Sequence, residues 1–180
     1  MASWEKKGMD PLSKEILKEL LTVEKEITPP PSKRRAAKDA LPHAEHWSHP
    51  VLMERGLYLG KLAHLGDGQA SETLREYPRH ATMLSFRARD GVAELHENFA
   101  DLFCVLEGRA TLVTGGTVVN PQQVGPGEIR GASIEGGTRQ ELRAGDIAHV
   151  PAGVPHQMLI PGDKTFTSFV VKIEEKSHKE

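Results

Sequence analysis

The sequence predicts a mainly β protein, an antiparallel barrel preceded by an N-terminal helical arm. Three observations carry that expectation. Helical periodicity is confined to residues 10–27. From about residue 51 short apolar runs alternate with glycine and proline turns. Two histidines and nearby carboxylates, distant in sequence, stand beside those turns. Many short strands punctuated by turn residues are the pattern of sandwiches and barrels.

The arm comes first. Asp10 is placed to cap a helix and Pro11 suits its first position, where a missing N–H costs nothing. Leu12, Ile16, Leu20, Val23 and Ile27 then recur at three- and four-residue spacing, with Leu17 and Leu21 widening the stripe. A single amphipathic helix needs a surface to bury that stripe, either the main domain or a second subunit. Thr28-Pro29-Pro30-Pro31 ends it, and residues up to 50 read as a polar linker carrying Lys33-Arg34-Arg35. The chain is therefore divided into a helix and proline-containing linker over 1–50, a β-barrel over 51–175 and a polar tail over 176–180.

Within the barrel, Thr82, Leu84, Phe86 and Ala88 alternate with Met83, Ser85, Arg87 and Arg89, giving one apolar and one polar face. Residues 102–106, 110–113 and 147–150 are apolar runs of strand length, and 165–173 forms a closing strand. No helical period is expected after residue 51. Residues 114–137 hold seven glycines and two prolines and little periodicity, so they read as a long loop, either a lid over the barrel mouth or a floppy insertion. Within it, Gly125 to Gly131 faintly resembles a dinucleotide fingerprint, but the glycine spacing is wrong and no helix follows.

Composition narrows the function. A chain of 180 residues with 38% apolar content supports one domain with a terminal extension. A formal charge of −2 with acids and bases interspersed offers no basic field for nucleic acid. No run of about 18 apolar residues is present to span a membrane. The first eight residues lack the pattern of a secretory signal, and the single cysteine, Cys104, cannot form an internal disulfide, so a cytoplasmic protein is expected.

The chemistry concentrates in two stretches. Glu94 and His96 are two residues apart and leave a strand from the same face. Asp101, Phe103 and Val105 share a face of the next strand, with Cys104 turned away as a small core residue. Further on, Gly145-x5-Pro151-x-Gly153-x2-His156 sets a histidine at the start of a strand, with Met158 and Ile160 on its face. Two imidazoles with one or two carboxylates at an open position suit Fe(II), Mn(II) or Zn(II), and no thiolate is at hand for a softer ion. Other candidates have plainer readings. His43, His46 and His49 lie in a linker with nothing to aim their rings. His149 reads as a partly exposed strand histidine, Glu97 as a surface acid, and Arg87 and Arg89 as solvation of an edge strand rather than a clamp for a substrate carboxylate.

The two stretches together resemble the motifs of the cupin superfamily, whose first motif runs Gly-x5-His-x-His-x3 or 4-Glu-x6-Gly and whose second runs Gly-x5-Pro-x-Gly-x2-His-x3-Asn. His96 matches the second histidine, Asp101 the glutamate and Gly108 the closing glycine; Gly145, Pro151, Gly153 and His156 match the second motif position by position. The resemblance covers roughly residues 80–173. It implies a cupin-like jelly-roll barrel of antiparallel strands with a divalent metal held by His96, His156 and Asp101 and/or Glu94. Four departures stand out: Glu94 replaces the first histidine, Ala88 the opening glycine, Asp101 the longer glutamate and Ile160 the final asparagine. Both changes at ligand positions keep an oxygen donor, which favours a retained metal over a lost one.

The expected function is a metal-dependent enzyme acting on a small polar organic molecule, with oxygenase, isomerase and lyase chemistry all open. The alternative is a barrel that binds or senses a small molecule without turnover. The arm and linker are similar to dimer-forming extensions in many cupins, which implies a homodimer.

Overall fold

The computed structural model describes residues 10–26 and 44–175. Helix α1, Pro11–Glu26, begins as its sequence dictates: Asp10 Oδ1 accepts from the N–H groups of Leu12 at 3.0 Å and Ser13 at 3.1 Å. Ile16 and Leu17 are half-buried while Leu12 stays exposed. The surface the arm meets is a second helix of the same chain, to which Glu19 is tied by an ion pair with Lys61. Ile27, the prolines, Lys33-Arg34-Arg35, His43 and the tail over 176–180 lie outside the described residues.

That second helix, α2 (His49–Leu65), corrects the expectation that no helix follows residue 51. Its buried positions are Leu52, Gly56, Leu59 and Ala63, spaced four, three and four apart. The helical period is present, but half of it is written in glycine and alanine, and Leu57 and Leu62 sit outside it. The hydrophobic contrast on which periodicity depends is therefore weak. The small residues serve close packing. A Cβ at Gly56 would lie 3.0 Å from Thr167 Cγ2, and one at Gly60 would lie 3.2 Å from the Phe86 ring.

The strands follow as β1 (Gln69–Tyr77), β2 (His80–Arg87), β3 (Ala93–His96), β4 (Phe99–Thr114), β5 (Thr117–Val119), β6 (Gln122–Gly125), β7 (Glu128–Gly131), β8 (Ser133–Glu135), β9 (Thr138–Arg143), β10 (Ile147–Val150), β11 (His156–Leu159) and β12 (Phe166–Glu174). All pairings are antiparallel. One sheet runs β1-β2-β12-β4-β10 and the other β9-β4-β11-β3-β7-β6. Strand β4 belongs to both: its first half pairs with β12 and β10, its second with β9 and β11. The apolar runs at 102–106 and 110–113 are thus one strand that changes sheets, and this closes the roll. Gly108 sits at the change-over with φ +85°, against the backbone of Thr165.

Two apolar clusters hold the roll. Val105, Ala110, Leu112, Val150, Met158 and Phe166 are among the residues that fill the space between the sheets. Leu52 and Leu59 of α2 cover Leu74 and Leu84, flanked by Trp47, Phe86 and Phe169. Each large apolar side chain so buried contributes about 1.5–3 kcal/mol. The alternation on β2 is sorted accordingly. Leu84 and Phe86 face the helix, and the polar set Met83, Ser85 and Arg87 faces the barrel interior.

The expectation of a long loop over 114–137 is also corrected: the segment is built of short strands. β5 and β8 form a two-stranded ribbon, and the β6–β7 hairpin extends the second sheet by pairing with β3. Strands of three or four residues display little alternation. Their glycines mark turns, as at Gly116 and Gly127 with positive φ, or tight packing, as at Gly131 beneath Val118.

Candidate metal centre

Sheet pairing, not sequence proximity, assembles the centre. His156 stands directly opposite Glu94 across the β11–β3 pair, and Glu94 stands opposite Arg130 across the β3–β7 pair. His96 leaves β3 on the same face as Glu94. Asp101 reaches in from the start of β4, and its strand neighbour across the β4–β12 pair is Lys172. The turn through Pro151 and Gly153 is fastened to β3, where the Gly153 N–H donates to the His96 carbonyl at 2.7 Å. This bond ties the two motifs into one rigid corner.

Glu94, His96, Asp101 and His156 each offer one donor atom, and all four atoms lie within 4.8 Å of one another. His96 Nε2 is 3.2 Å from Asp101 Oδ2 and 3.6 Å from Glu94 Oε2. His156 Nε2 is 3.4 Å from Asp101 Oδ2 and 3.6 Å from Glu94 Oε2. Metal–donor bonds of about 2.1 Å place neighbouring donors about 3.0 Å apart at octahedral angles and about 3.4 Å apart at tetrahedral ones. The observed spacings sit at or slightly above these values. The four residues lie close enough to hold a metal ion.

The orientation of the rings fits as well. His96 Nδ1 lies 2.6 Å from Glu128 Oε2, and His156 Nδ1 lies 3.2 Å from the Val154 carbonyl. These outer acceptors hold each ring with Nδ1–H outward and the Nε2 lone pair inward. Both Nε2 atoms are buried and make no hydrogen bond among the described residues. Each instead lies beside the Asp101 and Glu94 carboxylates, so the two nitrogens and two oxygens converge on one point where a metal ion could be held.

Burial opposes charge on every member of the cluster, yet their mutual attraction wins. The Asp101 and Glu94 carboxylates raise His96 to a pKa of about 9 and raise His156 as well. The two histidines, aided by Lys172 for Asp101 and by Arg130 for Glu94, hold both carboxyls well below the usual carboxylate range. The centre is built to be charged.

Three charged neighbours of the cluster were not singled out by sequence. Glu128 and Arg130 lie in the segment read as a loop, and Lys172 lies in the closing strand. Arg130 Nη1 is 3.3 Å from Glu94 Oε1 and its Nη2 is 3.7 Å from Glu128 Oε2, while Lys172 Nζ is 3.0 Å from Asp101 Oδ1. One signal for the first pair was available: Glu128 and Arg130 are two apart, flanking Ile129, which is strand alternation in miniature. The cavity above the cluster measures about 190 Å³, and Arg87, Arg130, Lys172, Phe103 and Met158 are among its walls. Arg87 therefore faces the interior and donates a hydrogen bond to Gln69, correcting its assignment to an edge, whereas Arg89 is exposed. Glu97, His46 and His49 are exposed and away from the cluster, as expected; His49 opens α2 rather than lying in the linker. His149 is exposed in a separate outer groove of about 360 Å³ that holds none of the four donors. Cys104 is partly buried, and burial raises its thiol pKa.

A roll of two antiparallel sheets sharing one strand, with a donor cluster on the strands that carry both motifs, decides the architecture. It is a jelly-roll barrel of antiparallel strands, the architecture that the two motifs implied. No family model matches the chain, and no curated protein does. Among solved structures, a cupin superfamily protein from Desulfitobacterium hafniense is 17% identical over 59% of this chain and 78% of its own, with a TM-score of 0.42. A protein with a double-stranded β-helix domain from Klebsiella pneumoniae is 17% identical over 61% and 79%, with a TM-score of 0.45. A predicted oxalate decarboxylase from Thermotoga maritima is 12% identical over 59% and 80%, with a TM-score of 0.44. Among the described residues no helix is long and apolar enough to cross a membrane.

Proposed function

We propose that this chain is a cupin-like metal-dependent enzyme acting on a small polar organic molecule inside the barrel. His96, His156, Asp101 and Glu94 would hold Fe(II), Mn(II) or Zn(II). The observation that carries the reading is the pair of buried Nε2 atoms that make no hydrogen bond among the described residues and converge with two carboxylate oxygens on one point. When bound, such an ion supplies Lewis-acid polarisation, or redox chemistry in the case of iron or manganese. The chain supplies the rest. Glu128 and the Val154 carbonyl fix the imidazoles, Lys172 and Arg130 hold the carboxylates in their charged forms, and Phe103, Met158 and Val170 keep the wall beside the cluster apolar. Fold does not choose among oxygenase, isomerase and lyase, so the reaction class stays open within this proposal.

A second reading, a barrel that binds or senses without turnover, is favoured by one observation. Among the described residues, the cavity wall holds no carboxylate or imidazole outside the four donors. The test is metal content after purification without chelator, followed by oxygen uptake and product formation with 1,3-diketones, hydroxy acids and phenols on iron- and manganese-loaded protein. Turnover supports the enzyme, tight binding without turnover the sensor, and absence of metal in native and reconstituted protein overturns both. The proposal includes a cytoplasmic homodimer, for which exposed Leu12, Val51 and Leu57 on the two helices offer apolar surface; light scattering checks the dimer.

A further inference from the structure

The charges around the cavity do not cancel once an ion is present. Glu94 and Asp101 in the wall and Glu128 behind His96 bring three negative charges; Arg87, Arg130 and Lys172 in the wall bring three positive ones. With neutral imidazoles these six groups are balanced, so a divalent ion leaves two positive charges in surplus. In a partly desolvated cleft such a surplus is a strong field for an anion. The donors are also spare. Lys172 Nζ and Arg130 Nη1 are buried atoms that make no hydrogen bond among the described residues, although each lies beside a carboxylate as an ion pair. Arg87 has only the neutral Gln69 amide, with no carboxylate paired to it among the described residues.

Resting on the metal-centre reading, we infer that the molecule this cavity takes is a small organic acid carrying two negative charges. The surplus sets the charge. The volume of about 190 Å³, below the ~300–1,000 Å³ of sites for larger ligands, sets the size. Arg130, beside Glu94, and Arg87, on the opposite sheet, are the guanidinium groups that would grip a carboxylate of that acid, since their planar forks match it in geometry.

Calorimetric titration of zinc-loaded, dialysed protein with malonate, its neutral analogue malonamide, and acetate tests this, with zinc content measured before and after. Malonate is expected to bind at least roughly tenfold more tightly than either comparison compound, and at least roughly tenfold more tightly to zinc-loaded than to metal-free protein. Arg130→Gln and Arg87→Gln should each weaken malonate roughly tenfold and leave malonamide unmoved. Arg87→Gln touches no donor residue, so it reports on the anion even if Arg130→Gln disturbs Glu94. Zinc retained with malonate no tighter than malonamide, or with malonate affinity unchanged in both variants, overturns the inference alone. Failure to take up zinc overturns the metal-centre reading and this inference with it.

Discussion

His96 and Glu128 are 32 positions apart in sequence, and their Nδ1 and Oε2 atoms are 2.6 Å apart in space. The contact runs across the β3–β7 pair, where the two residues stand directly opposite each other. It joins the motif that is plain in the sequence to the glycine-rich segment that is not.

From that contact follows the first prediction. Removing an outer partner of a metal-bound histidine typically lowers metal affinity about 10- to 100-fold. Glu128→Ala is expected to lose that much in a chelator-competition titration. Glu128→Gln, which keeps an acceptor oxygen but not the charge, is expected to lose less. His149→Ala, in the outer groove, serves as the control that leaves affinity unchanged. Equal affinities for wild type and Glu128→Ala would show that the contact does not orient the ring.

The four donors should not be equivalent. His96→Ala and His156→Ala each remove an inward Nε2 and should abolish stoichiometric metal, read by elemental analysis. Asp101 is 3% exposed and neutralises Lys172, whereas Glu94 is shared with the more open Arg130. Asp101→Asn therefore leaves a partly buried ammonium uncompensated, at a cost of about 1–3 kcal/mol in folding stability as well as metal. Glu94→Gln should lower metal affinity with a smaller stability change. Chemical denaturation of the two metal-free variants compares them directly, and the reverse order would contradict the assignment.

The pH dependence has a definite sign. His96 is raised from 6.5 to about 9 and His156 is raised too, so their contribution to stability is complete below pH 6.5 and is lost as pH climbs towards 9. Glu94 and Asp101 are lowered from 4.5 and 3.8, so their contribution is present above those values and is lost as pH falls below them. Metal-free protein should thus melt highest between about pH 4.5 and 6.5. Metal must displace protons from both Nε2 atoms, so its affinity rises with pH through the same range in which the metal-free form weakens. Melting curves with and without chelator should diverge progressively from pH 6 to 9. Parallel curves would mean that the imidazoles are not the ligands.

How far the sequence revealed this molecule depends on where each signal was stored. The donors were readable because glycines and a proline bracket them at fixed spacings, and because oxygen donors occupy both altered positions. The outward face of β2 was readable as alternation, but its direction was not. Polar residues Ser85 and Arg87 point into the barrel because the part of the interior they face is a charged cavity, beside the apolar core. Helix α2 was hidden by the glycines that let it lie close on the sheet, since a glycine in a buried stripe carries no hydrophobic signal. Glu128, Arg130 and Lys172 owe their importance to cross-strand register, which depends on how distant strands pair and leaves no local trace.

Gly108 offers the sharpest test of the roll itself. Its φ of +85° is a region L-residues rarely enter, and a Cβ there would lie 1.9 Å from the Thr165 carbonyl oxygen. The obstacle is backbone, so relief requires β4 and β12 to part at the point where β4 changes sheets. Gly136 and Gly115 also have positive φ, but a Cβ at either meets nothing within 4 Å. Substitution at those two sites carries only the conformational penalty, about 1–2 kcal/mol. Gly108→Ala carries the same penalty plus the clash, so its destabilisation should reach about 4 kcal/mol or more. Urea denaturation of the three alanine variants separates the two costs. Equal losses at all three sites would mean that β4 does not pass between the sheets at this residue.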